Sequence, residues 1–482
     1  MTRSMMSTPP ILESPEAVLS TMDKDGSRRW IYPTLSPGRF LNARRVVGFL
    51  LIAFFVALPW IKIADKPAIF LNITGGEFTF FGLTLHSTDT VLLMIFMLII
   101  LLSVFFFTAL FGRVWCGWGC PQTVYLELVF RPIERLIEGK ESARRRRDAG
   151  PMTPEKFARK AVKLAVFTLL SLFLAHTFVA YFVSWPELLR WMTLSPAQHP
   201  GYFATMAITT ALVLFDFGYF REQMCTITCP YARFQSVLMD RDSLIVSYDP
   251  GRGEPRGRRL RSKGPIDLEN PQARLGDCID CGACVRTCPT GIDIRDGLQM
   301  ECVSCTQCVD ACDAIMDAID KPRGLIRYTS ENAIENKPTR VLRPRLMAYG
   351  VALVVLSTLF VALIGQRQPL EVDIGRMPGP AFTELADGQI ANRLRIRLRN
   401  RTGEDRQATL RVTEPEGASV RVVGPQTIAL EAGELTRVEV WTTAPPASLP
   451  GGSATATFEI LIEGEPWATS SFPLLGPTSP GD

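Results

Sequence analysis

Cys278-Ile-Asp-Cys281-Gly-Ala-Cys284-Val-Arg-Thr-Cys288-Pro289 and, a short segment later, Cys302-Val-Ser-Cys305-Thr-Gln-Cys308-Val-Asp-Ala-Cys312 decide how this chain is read. Each run spaces its cysteines C-x2-C-x2-C-x3-C, the pattern of a bacterial ferredoxin with two 4Fe–4S clusters. Two-residue gaps let one tight loop present three thiolates, and the fourth ligand comes from the other run. The spacing therefore predicts one cluster on Cys278, Cys281, Cys284 and Cys312, and a second on Cys302, Cys305, Cys308 and Cys288. Gly282 stands where the backbone must approach the cluster closely, and Pro289 turns the chain away. The second run departs from this regularity. Thr306 takes the glycine position and Asp313 the proline position, and Asp310 and Asp313 are expected to lower the second cluster's potential. Zinc sites use pairs of C-x2-C, not a triple followed by x3-C.

The remaining four of the twelve cysteines form two C-x3-C-P motifs, Cys116/Cys120 with Pro121 and Cys225/Cys229 with Pro230. Proline favours the first position of a helix, so Cys120 and Cys229 are expected at helix N-termini, where the dipole favours thiolate. Soft thiolates suit Cu(I). The four cysteines are thus a candidate copper or redox site; they could equally hold a third iron–sulfur cluster, or be inert packing residues. Each motif lies five residues beyond an apolar hairpin, ending in Phe111 and Phe220, and precedes an amphipathic stretch, Gln122–Ile137 or Tyr231–Met239. The duplication suggests that the two pairs meet at one pseudo-symmetric site.

At 482 residues, two to four domains are expected. The fold class is a multi-domain membrane protein. It combines a five-helix α-helical transmembrane domain, a cytoplasmic two-cluster ferredoxin-type domain and a C-terminal all-β immunoglobulin-like sandwich. Five apolar runs approach the roughly 20 residues that cross a bilayer: Val46–Ile61, Thr90–Phe111, Ala161–Val183, Tyr202–Phe220 and Leu346–Ile364. Net charge is only +4, but lysine and arginine crowd the segments after the second and fourth spans, including Arg144–Arg147 and Arg252–Lys263. The positive-inside rule then puts the N-terminus inside and the tail outside, in a bacterial inner membrane. The basic runs flank spans, so topology explains them and no nucleic-acid partner is expected. All twelve cysteines fall on the cytoplasmic side, where thiols stay reduced, and a disulfide framework is not expected.

The expected boundaries are these: 1–40, a disordered cytoplasmic N-terminus; 41–248, four spans as two hairpins, each followed by C-x3-C-P; 249–264, a basic linker; 265–322, the ferredoxin domain; 323–345, a connector; 346–364, the fifth span; 366–482, a periplasmic sandwich. In that last part Leu394–Arg399 alternates apolar and polar, and Thr409–Val412, Ser419–Val423, Thr427–Leu430, Thr436–Thr442 and Thr455–Ile462 read as further strands. About seven short strands suggest an immunoglobulin-like sandwich held by apolar burial. Of the three histidines only His176 lies in a span, which disfavours an intrinsic haem. Neither a G-x-G-x-x-G after a strand nor a P-loop is present. Asp216, at a span end, is a candidate quinol contact or a hydrated carboxylate.

With these residues placed, the chain resembles the cytochrome c oxidase accessory protein family, polyferredoxin assembly factors of the cbb-type oxidase. The string Cys288-Pro-Thr-Gly-Ile-Asp-Ile-Arg-Asp-Gly297, with Gly324-Leu-Ile-Arg-Tyr328, carries the resemblance along with the overall layout. The resemblance implies a membrane-bound electron-transfer protein that reduces Cu(II) to Cu(I) for copper loading of that oxidase. Its partners would be the bilayer, copper ions, oxidase subunits or copper-delivery proteins, and an unidentified electron donor. Two rivals stand beside it, the first implied by a similarity of the membrane half to membrane ferredoxins of periplasmic nitrate and nitrous-oxide respiration. One is a quinol-linked conduit without copper specificity; the other is a non-catalytic copper carrier or assembly scaffold.

Overall fold

The computed structural model describes residues 20–22, 27–63, 66–87, 89–257, 275–402, 404–431 and 433–477. Most of the expected basic linker and the start of the expected ferredoxin segment, 258–274, lie outside the described residues. The chain divides into two compact units, one holding nearly all residues up to 358 and the other the tail from 359.

In the first unit most spans are longer than their apolar runs, and the second matches its run residue for residue. Helix α1 covers Arg39–Ala57, and a 3-10 turn extends it to Trp60. A hairpin of β1 (Ile69–Asn72) and β2 (Glu77–Phe80) leads to α2, Thr90–Phe111. Helix α3 (Val114–Trp118) and α4 (Pro121–Tyr125) follow. A π-turn at Leu126–Phe130 joins α4 to α5, Arg131–Glu138. Pro132 explains the turn, because it has no N–H to close an ordinary helical bond. Next come α6 (Glu141–Ala149), α7 (Pro154–Val183), α8 (Trp185–Met192) and α9 (Pro200–Phe215), the last continuing as a π-turn to Phe220. Thr153 caps α7 by accepting from the Lys156 N–H, with Pro154 at the first helical position. A third π-turn, Met224–Thr228, precedes α10, Pro230–Leu238.

Strand β3 (Ile245–Tyr248) pairs antiparallel with β4 (Ile326–Thr329). The eight-cysteine block lies between them in sequence, with α11 at Ala283–Thr287 and α12 at Gln307–Ala318. A fifth apolar helix, α13, runs Pro344–Gly365. Among the described residues, five helices are long and apolar enough to cross a membrane.

The polar segment expected to be disordered is instead a hydrogen-bonded strap wherever it is described. The Thr34 N–H donates to the Arg286 carbonyl (2.9 Å) and Thr287 Oγ1 donates to the Thr34 carbonyl (2.9 Å). Ser20 Oγ donates to the Thr290 carbonyl (2.7 Å), and Tyr32 donates to Asp148 (2.8 Å). Backbone pairing with the cysteine loops orders it, and hydropathy carries no trace of such pairing.

The second unit is a two-sheet sandwich of β5 (Leu370–Arg376), β6 (Ile390–Asn400), β7 (Arg406–Glu414), β8 (Ser419–Val422), β9 (Ile428–Leu430), β10 (Leu435–Ala444), β11 (Ser453–Ile462) and β12 (Glu465–Leu475). One sheet runs β8-β10-β6-β5 and the other β9-β7-β11-β12, all antiparallel. Leu394, Ile396, Leu398 and Val440 from one sheet meet Ala408, Phe458 and Ile460 from the other in a fully buried core.

Candidate functional site

Each cysteine run folds into the same loop. Asp280 and Gly282 flank Cys281 in left-handed conformations (φ 51° and 64°), and Ser304 and Thr306 flank Cys305 likewise (φ 52° and 63°). Glycine adopts this geometry freely. A β-branched threonine does so at a cost of about 1–2 kcal/mol. Thr306 is buried, and its hydroxyl donates to the Cys305 carbonyl (2.6 Å). Left-handed residues in such a loop can turn N–H groups to one side, making a concavity suited to an anion. Backbone N–H groups of Val285, Ser304 and Gln307 reach the sulfurs of Cys284, Cys302 and Cys305.

Two cavities result. One is lined by Cys278, Cys281, Cys284 and Cys312. The other is lined by Cys288, Cys302, Cys305 and Cys308, with Cys284 at its border. Among the described residues no three His, Cys, Asp or Glu side chains converge closely enough to hold a single metal ion. The sulfurs instead surround a volume, as a polynuclear cluster requires. Burial pushes the Cys305 and Cys312 thiols up to about 12 and Cys284 to about 11. Thiolates here therefore need bound positive charge. The residues fit 4Fe–4S clusters on sulfur disposition and N–H donors to the sulfurs.

Asp310 and Asp313 do not act together on the second cavity, contrary to expectation. The Asp310 carboxylate accepts from the N–H groups of Phe40 (3.1 Å) and Leu41 (2.7 Å) and so caps α1. Gly38 leaves room for it, since a Cβ there would lie 2.2 Å from the carboxylate carbon. Asp313 accepts from the Gly324 N–H (3.0 Å), faces Arg39 at 3.7 Å, and opposes ionisation of Cys312, which lines the first cavity.

The two C-x3-C-P motifs interlock. Gln122, just after Cys120-Pro121, donates to the Arg221 carbonyl (2.9 Å) and to Asp216 (3.1 Å). Gln235, after Cys229-Pro230, donates to the Gly112 carbonyl (3.2 Å), and the Cys116 thiol donates to Gln235 (3.6 Å). Each motif's following helix thus ties to the end of the other hairpin. Gly112 is left-handed (φ 55°), and a Cβ there would strike the Leu244 carbonyl at 2.2 Å. Cys120 and Cys229 occupy the N-cap positions of α4 and α10. At Cys120 helix-terminal stabilisation of thiolate does not prevail. Burial holds Cys120 above its ordinary value despite N–H donors from Thr123 and Gln122, and raises Cys116 to about 12. Cys225 is raised by burial and then by negative charge on Cys120, Cys116 and Cys229, so the four thiols sense one another.

The second cavity abuts the first motif. A Cβ on Gly117 would lie 2.6–2.8 Å from the Val303 oxygen, Cys305 Cα and the Ser304 carbonyl carbon. Trp118 Nε1 donates to Tyr328 (2.9 Å), whose hydroxyl donates to the Ser304 carbonyl (3.1 Å). Arg44 Nε donates to the Gly117 carbonyl (2.9 Å). Arg113 donates to the carbonyls of Met300, Cys302 (3.2 Å) and Ala232 (2.9 Å). The second motif is held by Glu222, which pairs with Arg28 (2.8 Å) and Arg131 (3.0 Å), while Arg131 also reaches the Pro289 carbonyl (3.3 Å). Sequence reasoning did not single out Gly117, Arg44 or Arg113. Glycines on both sides of Trp118 were the available signal of close backbone approach.

Fold and site together define a membrane-anchored dicluster ferredoxin with an immunoglobulin-like appendage. Family models agree: a 4Fe-4S dicluster domain matches residues 220–331, a 4Fe-4S binding domain matches 93–141, and the IG-like fold at the C-terminus of FixG matches 360–473. The chain is 34% identical to protein RdxA of Cereibacter sphaeroides over 90% of its own length and 93% of that protein's. It is 32% identical to nitrogen fixation protein FixG of Rhizobium meliloti over 87% of each, and 35% identical to RdxB of Cereibacter sphaeroides over 86% of its own length and 88% of that protein's. The chain belongs to the FixG/RdxA family of cbb-type oxidase accessory ferredoxins. It is a membrane-associated iron–sulfur electron-transfer protein of the inner membrane.

Proposed function

We propose that this protein reduces Cu(II) to Cu(I) at the C-x3-C-P cysteines, for assembly and copper loading of the cbb-type oxidase. Cys278, Cys281, Cys284 and Cys312 would hold one 4Fe–4S cluster, and Cys302, Cys305, Cys308 and Cys288 the other. Bound there, the clusters supply one-electron storage and transfer. The observation that carries the reading is the backbone contact of Gly117 with Val303–Cys305. It sets the Cys116 motif directly against a cluster loop, with no side chain between. Arg44 and the Trp118–Tyr328–Ser304 hydrogen bonds fix that contact. Cu(II) is the substrate and takes one electron. Two thiolates from the facing pairs suffice for Cu(I), whose softness they match. Positive-inside bias puts the clusters and all twelve cysteines in the cytoplasm and the sandwich in the periplasm, in contact with oxidase subunits or copper-delivery proteins.

A second reading has its own support, because the 4Fe-4S binding domain match at 93–141 contains Cys116 and Cys120. Under it the four thiols hold a third cluster, and electrons go to a partner without copper specificity. Anaerobic stopped-flow separates the two. Reduced protein is mixed with Cu(II) and a Cu(I) chelator, alongside Cys225→Ser/Cys229→Ser. Cluster bleaching reversed with matching Cu(I) formation, and slowed at least tenfold in the variant, supports copper reduction. Equal rates contradict it, and an iron content well above about eight per chain supports the third cluster.

A further inference from the structure

Arg44 and Arg113 are both buried, at 4% and 6% exposure. Among the described residues neither meets a carboxylate; their hydrogen-bond partners are backbone carbonyls of Gly117, Met300, Cys302 and Ala232. A buried guanidinium without a counter-charge is unfavourable, and an anion brought beside it relieves the cost. Both reach the loop that borders the second cavity: Arg113 donates to the Cys302 carbonyl itself (3.2 Å), and Arg44 donates to the carbonyl of Gly117, which packs on Val303–Cys305. The first cavity is different. Its arginine, Arg295, is already matched by Asp293 and Asp280, and Asp313 adds negative charge beside Cys312. Asp310, two residues after Cys308, turns its carboxylate to the N-terminus of α1.

We infer that Arg44 and Arg113 are positioning residues that make the Cys302/Cys305/Cys308/Cys288 site the higher-potential of the two, so that electrons collect beside the C-x3-C-P cysteines. The inference rests on the ligand assignment above. A cluster held by four thiolates is anionic, and an added electron makes it more so. Uncompensated positive charge at close range in a low dielectric therefore favours its reduced form. The transfer is of one electron. The Cys278/Cys281/Cys284/Cys312 site is oxidised by one equivalent and the other site reduced by one. Both guanidinium groups keep their protons, no bond changes, and a low-potential one-electron donor replenishes the first site.

The test is an EPR-monitored redox titration of the full-length protein in detergent. Wild type is compared with Arg44→Met, Arg113→Met, Arg44→Lys, Arg113→Lys and Arg295→Met. Two reductive steps are expected. Each methionine variant at 44 or 113 should lower the upper step by at least tenfold in its reduction equilibrium, about 59 mV for one electron. The lower step should stay put. Lysine should restore most of the shift, which a merely structural role would not do, and Arg295→Met should move only the lower step. Retention of both steps with an unmoved upper potential, or movement of the lower step by Arg44→Met, overturns the inference and leaves the ligand assignment standing. Fewer than about eight irons per folded wild-type chain, or an upper step that persists unchanged in Cys302→Ser/Cys305→Ser, overturns the assignment and the inference together.

Discussion

Asp310 illustrates how one carboxylate can join two parts of the first unit. It accepts from two orphan N–H groups at the start of the first span, a favourable place for an anion. Asp310→Ala should lower stability by about 1 kcal/mol, and Asp310→Asn by less, because asparagine still accepts. Thermal unfolding in detergent, followed by cluster absorbance, reads the difference. The Thr306 anomaly was legible in the sequence as a missing glycine, and the structure gives its meaning: the left-handed turn persists without one. Gly324-Leu-Ile-Arg-Tyr328 likewise stood out in the sequence, and its roles are now physical. Leu325 and Ile326 line the first cavity, and the Tyr328 hydroxyl ties Trp118 to Ser304. What the sequence could not reveal was which residue on the other side each would meet.

At the scale of elements, the amphipathic helix α5 carries a buried ionic cluster. Glu134 meets Arg221 (2.7 Å), Arg144 (2.8 Å) and Lys163 (3.2 Å). Burial alone would raise its carboxyl, but these cations hold it far below the ordinary value of 4.5. A depressed folded value means the stabilisation is complete above about 4.5 and is lost as pH falls through the folded value. Glu134→Gln should cost about 3–5 kcal/mol at neutral pH, since it strands buried cations, and should flatten the acid limb of a stability-versus-pH curve. The long spans were legible from apolar runs alone, and their true starts lie at Pro154, Pro200 and Pro344, positions proline favours. The π-turns were not legible, because they depend on which carbonyl a shifted N–H finds. Two of the longer strands of the sandwich escaped the period-two reading. Pro466 and Pro473 interrupt β12, which tolerates them as an edge strand, and β5 is the opposite sheet's edge and includes Gly375. The sandwich contains no cysteine, so its core carries the load: Phe458→Ala should cost about 3–5 kcal/mol in urea unfolding of the tail.

The whole molecule combines a dicluster ferredoxin with a pair of interlocked cysteine motifs at the ends of membrane hairpins. The eight-cysteine spacing made the first legible, and an internal duplication hinted at the second. The arrangement between them rests on Gly117, on two buried arginines and on an N-terminal strap, none of which has a sequence period. Because copper reduction is assigned to residues of the first unit, truncation before Leu370 should leave its rate within about twofold, and any larger loss would move the active residues into the tail.

The most direct test of the central claim is a single-turnover comparison of wild type and Gly117→Ala. A methyl group there must push the Val303–Cys305 backbone away from the Cys116 motif. Anaerobically reduced protein is mixed with Cu(II), and cluster reoxidation and Cu(I) formation are followed together. The account predicts unchanged iron content and cluster spectrum with a rate at least tenfold lower, since electron transfer weakens steeply as the gap widens. Full-rate Cu(I) formation by Gly117→Ala with intact clusters would contradict it, and would mean that copper takes its electron elsewhere on the ferredoxin domain.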